Sequence, residues 1–161
     1  MTEDELAKLY TAFGYFLFRR CVVYLGDPSA AEAALLEVFV EFAQNAAATG
    51  DPRARLCRIA DRLCVDTLQR HARDNAPAHE PDADAIAAAI GDDESESLLI
   101  VRRLLREVEP RSLRLAVLYY VDELTEEELA RELGLPRRTV QKRVQALLGR
   151  ARTLLRAEHA P

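Results

Sequence analysis

Apolar side chains recur every three or four residues through positions 3–25, as Leu6, Leu9, Phe13, Leu17, Cys21 and Tyr24. That spacing lays one apolar stripe along a helix. Gly26 ends the pattern, and Asp27-Pro28 reads as an N-cap followed by a proline at the first helical position. A second stripe follows in Ala31, Leu35, Val38, Phe39 and Phe42. Gly50 breaks the chain again, and Asp51-Pro52 repeats the start signal. The third stripe is Leu56, Ile59, Leu63, Cys64 and Leu68. Three such stripes can close a small core, so residues 1–73 are expected to form a three-helix domain.

The pattern lapses over residues 74–97, which are rich in Asp, Glu, Ala and Pro and have little to bury. This stretch reads as a linker, with Asp84–Ile90 able to form a short helix. Periodicity resumes at Leu98, Val101, Leu104, Leu105 and Val108. Pro110 starts another helix, with Leu113, Val117, Tyr120 and Val121 expected inward. Thr125 and Glu128 form the T-x-x-E pattern of a capping box ahead of a short helix, 126–133, that should bury Leu129 and Leu133. Gly134 supplies a left-handed stop. Pro136 opens a last helix to about Arg156, with Val140, Val144, Leu147, Ala151 and Leu154 on its inner stripe. The fold class is therefore all-α: two small helical domains, 1–73 and 98–161, joined by an acidic linker, the second ending in a helix-turn-helix.

Composition agrees. Of the 161 residues, 49% are hydrophobic, and much of that share is Ala and Leu, which suit helix packing better than strands. Charge is divided unevenly behind a net of −5. Residues 74–97 hold eight acidic side chains and no Lys or Arg, whereas residues 98–161 carry thirteen basic against nine acidic. The N-terminal stretch MTEDELAKLY is acidic where a secretory leader is basic, and no apolar run approaches a membrane span. A cytoplasmic protein with no membrane partner is expected. Cys21, Cys57 and Cys64 form no C-x-x-C pair and read as small buried residues. His71, His79 and His159 show no ligand spacing, so neither a metal nor a cofactor is expected.

The chemistry concentrates in residues 125–156. A helix-turn-helix needs a short first helix, a tight turn with glycine and a second helix whose outer face enters the major groove. With Val140 and Val144 inward, Arg137, Arg138, Gln141, Lys142 and Gln145 face outward near the start of the second helix. These are donors suited to phosphates and base edges. Residues 136–156 hold seven basic side chains and no acidic one, an unusual balance for an ordinary solvated helix. Glu126, Glu127 and Glu128 fall in the first turn of the preceding helix, where the helix dipole favours them. No Gly-rich phosphate loop, G-x-S-x-G or Cys–His arrangement is present, so an enzyme is not expected.

The order of a three-helix domain, an acidic linker and a helix-turn-helix domain resembles the extracytoplasmic-function (ECF) type of bacterial RNA polymerase sigma factor. The likeness is strongest at LTEEELARELGLPRRTVQKRV, residues 124–144, similar to the family's reader of the promoter −35 element. It extends to RLCRIADRLCVDTLQR, residues 55–70, similar to the helix facing the −10 element, and to AEAALLEVFV, residues 31–40, similar to the helix that docks on the polymerase clamp. The resemblance implies that Arg137, Arg138, Thr139, Gln141, Lys142 and Arg143, with Gln145 beside them, contact −35 DNA. It implies that Arg58, Arg62, Arg70 and Arg73 lie along −10 DNA. Leu35, Leu36, Glu37 and Phe39 would lie in the clamp-binding helix, some packing inward and some meeting the partner. The implied partners are core RNA polymerase and promoter DNA, with an anti-sigma factor as the family's usual restraint. The acidic linker would either thread the RNA exit path or serve as a plain spacer.

Several positions depart from the family's habit. Ala33 and Leu36 stand where it often has an acidic residue and Gln, Arg55-Leu56 where it often has an aromatic-Leu pair, and Asp61 where it often has Asn. These departures keep a second reading open: a sigma-derived helix-turn-helix regulator or interaction protein whose first domain serves another partner. A LuxR-type regulator is a more distant alternative, since it usually has His where this chain has Arg143.

Overall fold

A computed structural model describes residues 1–74, 84, 88, 103 and 110–158. The described residues form helices and no strand. The chain divides into two compact units, Met1–Leu99 and Ile100–Pro161. The expected linker and the face of Leu98, Val101, Leu104, Leu105 and Val108 lie outside the described residues, apart from Asp84, Ala88 and Arg103, which are helical.

The first unit contains α1 (Glu3–Leu25), α2 (Pro28–Gln44) and α3 (Pro52–Arg73), each packed on the other two. Local chemistry sets their ends. Thr2 and Glu5 exchange hydrogen bonds in a capping box, and Gly26, at φ 67°, closes α1 in the left-handed conformation. The Asp27 carboxylate accepts from the backbone of Ser29 and Ala30, and the Asp51 carboxylate from that of Ala54. Both expected Asp-Pro starts are therefore real caps.

The stripe of α2 is wholly in the core, as Ala31, Leu35, Val38, Phe39 and Phe42. Of the α1 stripe, Leu17, Cys21 and Tyr24 are in the core, whereas Leu6, Leu9 and Phe13 toward its N-terminal end are half-buried. That of α3 is rotated. Its buried residues are Leu56, Ala60, Asp61 and Cys64, whereas Ile59, Leu63 and Leu68 are only half-buried. The reason is Arg20 of α1, 2% exposed, which meets Asp61, 1% exposed, in a two-pronged ion pair. Its Nε donates to Oδ1 at 2.6 Å and its Nη2 to Oδ2 at 3.0 Å. A buried carboxylate needs such a partner, so this face of α3 turns toward α1. Arg53 lies over the Phe16 ring, 4.7 Å from its centroid. With Arg20 on Asp61, this makes α1 and α3 run in the same direction.

The second unit contains α4 (Pro110–Tyr120), α5 (Glu126–Leu133) and α6 (Arg137–Glu158). Leu115 and Leu118 of α4 pack with Leu129 of α5 and Val140 and Val144 of α6. Helix α4 is buried more widely than one stripe: Leu113, Leu115, Ala116, Val117 and Leu118 are inside, and the expected Tyr120 and Val121 are half-buried. Arg114 donates to Glu132 Oε1 at 2.9 Å and ties α4 to α5.

Candidate nucleic-acid interface

The second unit's last two helices build a helix-turn-helix from local rules. Thr125 Oγ1 accepts from the Glu128 backbone N–H at 3.2 Å, and Glu128 Oε2 accepts from the Thr125 N–H at 2.8 Å. This fixes where α5 starts. The hydrogen bond from the Thr125 backbone, with help from its hydroxyl, holds the Glu128 carboxyl below its usual pKa. Gly134, at φ 63°, stops α5, and the Leu135 N–H reaches back to the Ala130 carbonyl at 3.1 Å. A residue with a Cβ would be strained at that angle. The chain then turns through Pro136, whose carbonyl accepts from Val140 N–H at 3.1 Å and so opens α6.

The inner face of α6 is Val140, Val144 and Leu147, all buried, against the fully buried Leu129. Leu133, Ala151 and Leu154 are half-buried. That packing fixes which face of α6 is free. Arg137, Arg138, Gln141, Lys142, Arg143 and Gln145 are exposed, and Thr139 is half-buried among them. Arg150, Arg152 and Arg156 continue the exposed basic surface. Every residue expected at the −35 contact therefore lies on one helix, and all but Thr139 are exposed. The first turn of α6 carries no acidic side chain, and the amides at a helix start point outward along its axis. Both features favour a polyanion.

Residues 98–155 match the family model described as sigma-70, region 4. The second unit is similar to sigma-70 region 4. That match takes in α4, α5 and nearly all of α6, so the region 4-like stretch contains the whole helix-turn-helix. The likeness supports a DNA-binding role in transcription for this unit and does not reach the first. No curated protein matches the chain.

The first unit's expected contacts are more mixed. Arg58, Arg62, Arg70 and Arg73 are all exposed on α3, roughly a turn or two apart. They do not form a purely basic ridge. Arg62 pairs with Glu41 of α2 and with Asp66 one turn on, at 3.5 Å. Arg70 donates to Thr67 Oγ1 at 3.2 Å. A phosphate would have to displace two carboxylates to engage Arg62. On α2, Leu35 and Phe39 are each 5% exposed. They belong to the core, with Phe39 against the Tyr10 ring at 5.1 Å. They cannot meet a partner without unfolding the unit, which leaves Leu36 and Glu37 on the surface. Leu36 is 61% exposed and Val40, one turn on, 56%. Val40 was not expected there, although its i+4 spacing from Leu36 would have revealed it.

The buried Arg20–Asp61 pair also escaped the sequence reading. The available signal was a charged residue inside each apolar stripe: Arg20 lies between Leu17 and Tyr24, and Asp61 one turn before Cys64. Cys21 and Cys64 are buried as expected, and Cys57 is half-buried. Among the described residues, no cluster of His, Cys, Asp and Glu could hold a metal ion, and no helix is long and apolar enough to cross a membrane.

Proposed function

We propose that the protein is an ECF-type sigma factor that binds core RNA polymerase and directs promoter-specific initiation. The observation that carries this reading is the region 4 match on a helix-turn-helix whose second helix exposes only basic and polar side chains near its start. In this reading Arg137, Arg138, Gln141, Lys142, Arg143 and Gln145 meet −35 DNA, with Thr139 at the edge of the contact. Arginine and glutamine pair with guanine and adenine edges in the major groove, and lysine serves phosphates. In this reading residues 1–73 and 98–161 are the two domains and 74–97 the linker between them. Arg58, Arg62, Arg70 and Arg73 lie along −10 DNA. The exposed Leu36 and Glu37, supported from beneath by Leu35 and Phe39, face the polymerase clamp. The protein acts in the cytoplasm and carries out no catalysis of its own. An anti-sigma factor is the natural restraint on such a protein.

In vitro transcription tests the reading. The purified chain is added to core RNA polymerase and sheared DNA from its own genome, and transcript 5′ ends are sequenced. Discrete starts sharing two upstream elements are expected. Their absence, with the core enzyme active under another sigma factor, overturns the reading.

One observation favours a second reading. Leu36 and Val40 make an apolar step on the surface of α2, and at Leu36 the family resemblance leads one to expect Gln. A sigma-derived regulator that uses this face for another partner would bind DNA through α6 yet fail to bind core polymerase.

A further inference from the structure

The exposed face of α6 runs on well past the residues near its start. Steps of three and four residues join Arg138, Lys142, Gln145, Gly149, Arg152 and Arg156, and all are exposed. Such steps keep them in one line along the helix, opposite the buried Val140, Val144 and Leu147. The odd member is Gly149. It lies well inside α6, which continues to Glu158, so it is no C-cap. It does not adopt the positive φ of Gly26, Gly50 and Gly134. A Cβ built on it meets nothing within 4 Å, so no neighbour among the described residues demands a glycine. Glycine in a helix interior nevertheless weakens the helix relative to alanine. One turn on, the Thr153 hydroxyl donates back to the Gly149 carbonyl at 3.1 Å. That bond slightly destabilises a helix and tends to bend it. Two weakening choices within one turn, with no cause inside the unit, point to something outside it that needs the backbone of α6 bare.

We propose that Gly149 is where a DNA sugar–phosphate strand crosses α6, with Arg152 holding its phosphate. The proposal rests on α6 being the DNA-reading helix, and it adds a second contact beyond the residues near the helix start. The dimensions agree. From Lys142 to Gly149 the helix rises about 10.5 Å, and the major groove is about 12 Å wide. A helix with its first turns on base edges therefore reaches the wall of the groove two turns later. A side chain there holds the strand away, whereas a glycine lets it approach the helix backbone. Arg152, one turn further on the same line, then meets the phosphate with its guanidinium. No carboxylate between residues 136 and 156 opposes the strand.

The probe is a short duplex selected from a random-sequence pool by the full wild-type chain. Its Kd is measured across a range of salt, with thermal melts of the same preparations. Gly149→Ala and Gly149→Leu are expected to melt above the wild type, because both residues favour helix and the space is open. Both should nonetheless bind the duplex more weakly, the leucine variant by about tenfold. A glycine of purely structural value would move stability and binding in the same direction. Arg152→Gln should lower the salt slope by about one unit. In the Gly149→Leu background it should cost less than it does alone, because the strand is already held off. Arg138→Ala and Lys142→Ala on the same duplex separate this proposal from the reading beneath it. If they weaken binding while both Gly149 variants bind as the wild type does, α6 still reads DNA and the crossing at Gly149 is overturned. If all four bind as the wild type does, or the pool yields no duplex, both are overturned. Gly149 variants that bind weakly and also melt lower would overturn the crossing too, since the glycine then serves the fold.

Discussion

Two charges held at about 1% exposure are an expensive way to join helices, and the Arg20–Asp61 pair shows how the expense is met. Both oxygens of the carboxylate are used, one by Nε and one by Nη2, so the planar guanidinium engages it in a fork. Removing one partner leaves the other charge buried and alone. Asp61→Ala is expected to destabilise the first unit by about 3–5 kcal/mol, enough to threaten a domain this small. Replacing both, as Arg20→Met with Asp61→Leu, should recover most of that loss, because no charge then remains to be satisfied. Urea denaturation of the three proteins measures this, and an additive double mutant would contradict it. The pair was hard to read in the sequence because its members are 41 residues apart. A lone Asp in a helix ordinarily faces water, and only the fold brings Arg20 to it. By contrast, Arg137, Arg138, Gln141 and Lys142 were legible because exposure on a short amphipathic helix follows from the helical period alone.

At the scale of elements, the legible features are those set within four or five residues. The Asp27 and Asp51 caps, the Thr125–Glu128 box and the glycine stops at Gly26 and Gly134 depend on near neighbours and appear where the sequence puts them. The rotation of α3 and the wide burial of α4 depend on other helices and do not. Helix α5 leans on its cap more than the others because it has only eight residues. Thr125→Ala should cost about 1 kcal/mol and fray the start of α5. The cap also carries a pH dependence. Glu128 is held below its usual value of 4.5 in the fold, chiefly by the Thr125 backbone hydrogen bond. Its contribution is therefore fully present above the unfolded value and is lost as pH falls through the lower, folded one. Glu5, in the box of Thr2, shifts the same way for the same reason. Thermal melts of the wild type and Glu128→Gln between neutral pH and about pH 3 should converge as the acid limit is reached, because protonation removes the same charge that the substitution removes. A constant gap across that range would remove the charged cap from the account.

For the whole molecule, the net charge of −5 repels DNA at long range, so affinity must come from the local field of α6. Each phosphate contact releases counterions and steepens the salt dependence of binding. Lys142→Ala is expected to weaken promoter binding and lower the salt slope by about one unit. Arg138→Ala should cost about 1–3 kcal/mol and relax specificity at one base pair, without depending on salt in the same way. The two units should also fail separately. Leu36 stands well clear of the core, and an arginine there disturbs no packing. Leu36→Arg should therefore leave the melting temperature and the binding of −35 DNA through α6 unchanged, while abolishing capture of core polymerase and transcription. A matched measurement on one preparation (thermal melt, DNA titration, co-purification with core enzyme) distinguishes the outcomes. Loss of polymerase binding alone places the partner on the outer face of α2. Unchanged polymerase binding would move the docking surface elsewhere on the first unit and leave the apolar step of Leu36 and Val40 to a different partner.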